Sequence, residues 1–236
     1  MSQLTTPWQQ YQKDLESTDF QHDSAQENAV KHLQRLFDDL NQPTTLKKGL
    51  LAKMFGGRSS KNEIKGLYFW GGVGRGKTYL VDTFFDCLPT DKKLRIHFHR
   101  FMHKVHDELH ELKGVNDPLK VVAKRFAEQT KIICFDEFFV SDIGDAMILG
   151  RLFEALFEQG VTLVATSNIP INKLYENGLQ REQFLPTITL LNKYTSELQL
   201  NGKQDHRLRH LEFSQTYFLN HDDFQNMYYR IIDKNE

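Results

Sequence analysis

The chain has 236 residues, with 30 basic and 31 acidic side chains and two cysteines. Near-neutral charge gives no chain-wide attraction to nucleic acid, and two cysteines cannot build a disulfide scaffold. The length suffices for one well-buried core with a small appendage.

Trp8 to Glu16 and Ser24 to Leu40 read as helices. Ala29, Leu33, Leu36, Phe37 and Leu40 make an apolar stripe at helical spacing, so this arm is expected to pack on a core. Residues 41–65 mix Lys47, Lys48, Lys53, Arg58, Lys61 and Lys65 with Leu46, Leu50, Leu51, Met54 and Phe55. A solvated insertion is the plain reading. A basic amphipathic stretch that touches anionic lipid or a partner is the sharper one. Residues 1–65 are thus expected to form a helical arm followed by a flexible basic linker.

Gly66 to Trp70 reads as a short buried strand, and Tyr79 to Leu88 as a helix closed by Pro89. Between them Gly71-Gly72-Val73-Gly74-Arg75-Gly76-Lys77-Thr78 fits the phosphate-binding P-loop. Its glycines let backbone N–H groups turn toward phosphate oxygens, and the helix that follows favours an anion at its N-terminus. Lys77 would reach the β- and γ-phosphates of ATP, and Thr78 would hold Mg²⁺. The candidate nucleotide-binding residues are Gly71, Gly72, Val73, Gly74, Arg75, Gly76, Lys77, Thr78 and Tyr79. The N-terminal arm is expected near the nucleotide base.

Leu94 to Phe98 reads as a strand, His99 to Leu112 as a helix, and Asp117 to Gln129 as a helix with Pro118 in its first turn. His99, His103, His106 and His110 fall on one helical stripe. A metal site there is the rarer reading; half-exposed histidines on an amphipathic helix are commoner. His97 and His99 follow a strand expected beside the P-loop strand, which would bring them near substrate or nucleotide.

Lys131 to Glu137 reads as a buried strand ending in two carboxylates, where open α/β sheets bind ligands. Asp136 suits a Walker B residue that holds Mg²⁺ through water, and Glu137 suits the base that activates the attacking water. A helix from Asp142 to Glu158 leads to a strand, Gly160 to Asn168. In AAA+ ATPases the strand after Walker B ends in a polar sensor, and Asn168 holds that place. Gly178 reads as a helix C-cap. Arg181 follows at the position of an arginine finger in ring-forming AAA+ proteins; a surface arginine paired with Glu182 is the alternative. Glu197 to Leu200 reads as the last strand and His221 to Asp233 as a final helix.

These segments resemble the ZapE/AFG-like family of P-loop AAA+ ATPases. The likeness lies in residues 66–78, His97-Phe98-His99-Arg100-Phe101-Met102, Cys134-Phe135-Asp136-Glu137-Phe138, Ala165-Thr166-Ser167-Asn168-Ile169-Pro170 and Asn177-Gly178-Leu179-Gln180-Arg181. It runs from about residue 8 to residue 213. The resemblance implies a doubly wound, mostly parallel five-stranded sheet flanked by helices. It also implies an ATPase core over residues 66–213 and an incomplete helical lid beginning at residues 214–236. Lys77 and Thr78 would serve nucleotide and metal, Asp136 and Glu137 hydrolysis, Asn168 sensing, and Arg181 a neighbour's site. Arg207 and Arg209 are further candidates for nucleotide or neighbour contact. Members are usually longer, so this chain reads as a fragment or a shortened member.

The family implies a mechanoenzyme acting on a protein partner. FtsZ is suggested by its bacterial cell-division branch, and inner-membrane contact by its mitochondrial branch. A nucleotide-dependent homo-oligomer is expected. A helicase-loader-like AAA+ protein acting on nucleic acid is the alternative, against which the balanced charge argues. A small-molecule kinase would leave Glu137 and Arg181 unexplained. Cys87 and Cys134 read as reduced core residues. With no secretory pattern and no run of 18 apolar residues, a cytoplasmic location is expected.

Overall fold

The computed structural model describes residues 5–17, 20, 22–42 and 64–201. The basic stretch at 43–63, Arg207, Arg209 and the helix expected at 221–233 lie outside the described residues.

Two helices precede the sheet. The first, α1 (Pro7–Leu15), starts at a capping box in which Thr6 and Gln9 satisfy each other's backbone N–H groups. The second, α2 (Ser24–Asn41), starts at Asp23, whose carboxylate accepts from the N–H groups of Ala25 and Gln26. Then come β1 (Gly66–Trp70), α3 (Lys77–Cys87), β2 (Lys93–His97), α4 (Phe98–Glu111), α5 (Pro118–Gln129) and β3 (Ile132–Asp136). The chain continues through α6 (Ile143–Glu158), β4 (Thr162–Ser167), a 3₁₀ turn (Ile171–Lys173), α7 (Arg181–Tyr194) and β5 (Thr195–Gln199).

All four strand pairings are parallel, in the order β2-β3-β4-β1-β5. Alternate strand residues point to opposite faces, and the sequence fills both faces. Tyr68, Ile133, Phe135, Leu163 and Ala165 join a buried cluster with α4, α5, α6 and α7. Leu67, Phe69, Ile132, Cys134 and Val164 join another with α1, α2 and α3. The sheet is therefore doubly wound, and the N-terminal arm is part of one layer. Tyr11, Leu33 and Leu36 of the arm are fully buried, each side chain contributing about 1.5–3 kcal/mol by leaving water.

Three expectations are corrected. The strand before His97 does not lie beside the P-loop strand: β2 is the sheet edge and pairs with β3. Gly178 ends no helix. It lies in a turn, its N–H donating 3.1 Å to the Tyr175 carbonyl. A Cβ there would stand 2.1 Å from the Tyr175 ring, so the residue is small because an aromatic ring rests on it. The helix of this region instead begins at Arg181. Phe184, Thr187, Ile188 and Leu191 bury one face at helical spacing, overriding Pro186 in the second turn. Finally, β5 begins at Thr195, directly after that helix.

Candidate nucleotide site

The order β3-β4-β1 puts three strand ends side by side. The P-loop leaves β1, the two carboxylates leave β3, and Asn168 leaves β4 between them. Gly71 N–H donates 3.3 Å to the Ser167 carbonyl, which ties the start of the P-loop to the end of β4. Gly76, at φ +78°, turns the loop into α3 in a backbone region that side chains disfavour.

Lys77 folds back into the loop. Its Nζ donates to the carbonyls of Gly71 at 2.7 Å and Gly72 at 2.8 Å. It also donates to Oδ1 of Asn168 at 3.1 Å. The structure thus joins the P-loop lysine and the expected sensor, 91 residues apart in sequence. Thr78 is exposed at the first turn of α3. Val73 is 56% exposed at the loop tip. The Tyr79 side chain turns away: its hydroxyl donates 2.5 Å to Asp14 of α1, and its ring meets Phe20. Burial, then the Asp14 carboxylate, pushes its phenol well above the usual range. This leaves Tyr79 only its backbone to offer a phosphate.

Asp136 ends β3 half-buried, and Glu137 next to it is exposed. Glu137 has φ +54°, which is uncommon for a residue with a side chain and costs about 1–3 kcal/mol. The turn is held from several sides. The Glu137 N–H donates 3.3 Å to Thr166 Oγ1, and the Phe138 N–H donates 2.7 Å to the Thr166 carbonyl. Ser167 Oγ donates 2.8 Å to the Phe138 carbonyl. Phe138 itself is fully buried among Tyr68, Phe98, Phe135 and Phe153. Strand β4 thereby fixes where the Glu137 carboxylate emerges.

Arg181 lies at the first position of α7. Its Nη2 donates 2.7 Å to the Asn172 carbonyl, and its Nε is buried without a protein partner.

Two residues not foreseen from sequence touch the site. Gln26 of α2 is buried to 3% exposure and its Nε2 lies 3.5 Å from the Arg75 carbonyl. Arg95 of β2 forks onto Asp136, with Nε 2.9 Å from Oδ2 and Nη2 3.3 Å from Oδ1, and also pairs with Asp82 of α3. The signal for Arg95 was the alternation Lys93, Arg95, His97 along a strand, three basic residues on one face. Gln26 carried a weaker signal, as a polar residue one turn ahead of the apolar stripe of α2.

The donor set suits a hard cation. A hydroxyl (Thr78) and a carboxylate (Asp136) are both oxygen ligands, and phosphates and waters complete such a shell. Among the described residues, no cluster of three His, Cys, Asp or Glu is placed to hold a metal ion. On the histidine stripe, His106 Nε2 lies 2.7 Å from Asp145 Oδ1, joining α4 to the start of α6. His99, His103 and His110 are exposed. Cys134 is fully buried in β3, and burial pushes its thiol up to about 12, against a smaller opposing pull from Arg95. Cys87 is a free thiol, half-buried. No helix among the described residues is long and apolar enough to cross a membrane.

Comparison with known proteins bears on family and fold. The family profile of the AFG1-like ATPases matches residues 5–233. The Cell division protein ZapE of Escherichia coli K12 is 48% identical over 217 residues, covering 89% of this chain and 58% of that protein. The Lactation elevated protein 1 homolog B of Danio rerio is 45% identical over 165 residues, covering 65% of this chain and 33% of its own length. The chain thus spans little more than half of the bacterial relative. Among solved structures, the DnaC helicase loader superposes with a TM-score of 0.54 at 14% identity, covering 81% of this chain and 99% of that one. AMPPCP-bound DnaA of Aquifex aeolicus gives 0.52 at 12% identity, covering 82% and 52%. These two likenesses extend to the fold alone. With the profile match over nearly its whole length and the ZapE identity, the chain belongs to the AFG1-like ATPase family.

Proposed function

We propose that the chain binds ATP with Mg²⁺, hydrolyses it, and uses the cycle to remodel a protein partner. FtsZ polymers at the division site are the partner that the family suggests. The observation that carries the reading is Lys77, whose ammonium is seated between P-loop carbonyls and Asn168. An ATP γ-phosphate reaching this loop meets a positive charge, the N-terminus of α3 and the Asn168 amide together.

In this reading Lys77 exchanges the Gly71 and Gly72 carbonyls for phosphate oxygens. Thr78 and Asp136 hold the cation. Mg²⁺, when bound, neutralises charge that builds up on the transferring phosphoryl group. Glu137, fixed by the Thr166 turn, orients the attacking water and takes its proton. Asn168 reports the γ-phosphate by keeping or losing Lys77. Arg181 supplies charge to a neighbour's site in a homo-oligomer. The protein works on the cytoplasmic side, with the basic stretch at 41–65 as its candidate contact with the inner membrane surface.

ATP hydrolysis measured across a wide protein range, with sedimentation in parallel, tests this. Specific activity that rises as assemblies form is the expected result, and Lys77→Ala should abolish it. Turnover unchanged in Lys77→Ala would overturn the P-loop assignment. The helicase-loader alternative draws on the DnaC likeness, which extends only to fold. It requires DNA affinity that falls steeply with salt.

A further inference from the structure

The nucleotide reading leaves Arg95 without a role, yet Arg95 is the residue most directly engaged with Asp136. Its guanidinium contacts both oxygens of that carboxylate, at 2.9 and 3.3 Å. A fork of this kind is the strong form of an arginine–carboxylate pair. It also takes a lone pair on each oxygen and sets a positive charge beside the carboxylate, and both oppose a metal ion there. The same guanidinium reaches Asp82, one helical turn after Thr78 on α3. Arg95 and Asp136 are largely shielded, with side chains 22% and 14% exposed, while Asp82 is 46% exposed. One cation is therefore shared between an inner carboxylate that the cation site requires and an outer one that it does not.

We propose that Arg95 is a positioning residue that guards the Walker B carboxylate. It covers Asp136 in the absence of a divalent cation and withdraws onto Asp82 when one arrives with nucleotide. The proposal rests on the reading of Asp136 as a cation ligand. Asp82 makes the exchange inexpensive, because the guanidinium is already in contact with its second seat and never becomes an unpaired half-buried charge. The pair neutralises the Asp136 charge. It also lowers affinity for a free divalent cation relative to one delivered by ATP, whose phosphates bring ligands of their own. Loading of metal and nucleotide thus becomes a joint event.

The test uses the full chain and Mn²⁺ as probe, with bound ion read by electron paramagnetic resonance, first without nucleotide and then with ADP. Removing the guard in Arg95→Gln should tighten Mn²⁺ binding about tenfold without nucleotide, with a smaller gain in ADP. Arg95→Lys is the decisive variant, because it keeps the charge and loses the fork. Tighter Mn²⁺ binding by Arg95→Lys than by wild type supports the guard. If Arg95→Gln tightens binding and Arg95→Lys matches wild type, Arg95 acts only as a nearby charge and the proposal fails. If both variants bind Mn²⁺ no better than wild type, or lose it along with thermal stability, Arg95 merely holds the strand ends and the proposal fails too. Binding of a fluorescent ATP analogue in saturating Mg²⁺ runs alongside. No binding to wild type there would sink the nucleotide reading, whatever the Mn²⁺ result.

Discussion

Gln26 lies so close to Gly76 that a Cβ on the glycine would stand 2.2 Å from the Gln26 amide nitrogen. The N-terminal arm therefore rests on the residue where the P-loop becomes a helix. A change in loop shape at Gly76 would press on Gln26 of α2.

Gly76→Ala meets two obstacles, the contact with Gln26 and a φ of +78°. It is expected to cost about 1–3 kcal/mol, with a fall in Tm of roughly 2–4 °C per kcal/mol. It should also weaken nucleotide binding at least about tenfold. Gln26→Ala added to Gly76→Ala should return the steric part and leave the backbone part. Thermal melts of the four species of this double-mutant cycle measure the split. Strict additivity would mean the contact carries no energy.

Thr166 holds the Glu137 turn with its hydroxyl and its carbonyl. Thr166→Val keeps the shape and leaves the Glu137 N–H without that acceptor. The expected stability loss is about 1–3 kcal/mol. ATP turnover should fall several-fold while ATP affinity stays within about twofold, because the P-loop is untouched. Steady-state kinetics with equilibrium binding separate the two effects. A loss of binding equal to the loss of turnover would contradict the role given to this turn.

Glu137→Gln should bind ATP and hydrolyse it about 10²–10⁴-fold more slowly. Arg181→Ala should also bind and fail to turn over, with a loss in the range of arginine fingers, about 10³–10⁵. If Arg181 serves a neighbour, mixing the two inactive proteins regenerates some sites that have both groups. Activity recovered in mixtures, read by phosphate release, supports action across subunits. A mixture inactive at every ratio would return Arg181 to its observed bond with the Asn172 carbonyl and a structural role.

Alkaline pH should destabilise the fold partly through Cys134. Its folded thiol ionises only near about 12, because burial raises it from an ordinary value of 9.0. Below pH 9 both states keep the proton and the group has no effect. From pH 9 to about 12 the unfolded chain ionises first, so stability falls by up to about 1.4 kcal/mol per pH unit. Urea unfolding at pH 8, 9 and 10 measures this slope. Cys134→Val should flatten it between pH 9 and 10. An unchanged slope would assign the loss to other groups.

The P-loop, the β3 carboxylates and Asn168 were legible in the sequence because each is a continuous stretch. A strand that runs straight into glycines and a lysine, or into two acids, carries its chemistry in adjacent residues. The apolar stripe of α2 was legible for the same reason. The sequence reading placed no element over Arg181–Tyr194, where Phe184, Ile188 and Leu191 form a helix by finding a core to bury in despite Pro186. The expectation at Gly178 failed because glycine was read as a backbone need, when the cause is the Tyr175 ring above it.

The sequence by itself determined the inventory of candidates: a phosphate-loop pattern, two carboxylates at one strand end, an asparagine at the next and an arginine. Only the tertiary structure decided which of them meet. The edge position of β2 sets Arg95 beside Asp136, 41 residues away in sequence. The packing of α2 sets Gln26 against Arg75, 49 residues away. Local propensity acts over a few residues, while strand order and layer packing are settled by burying both faces of the whole sheet at once.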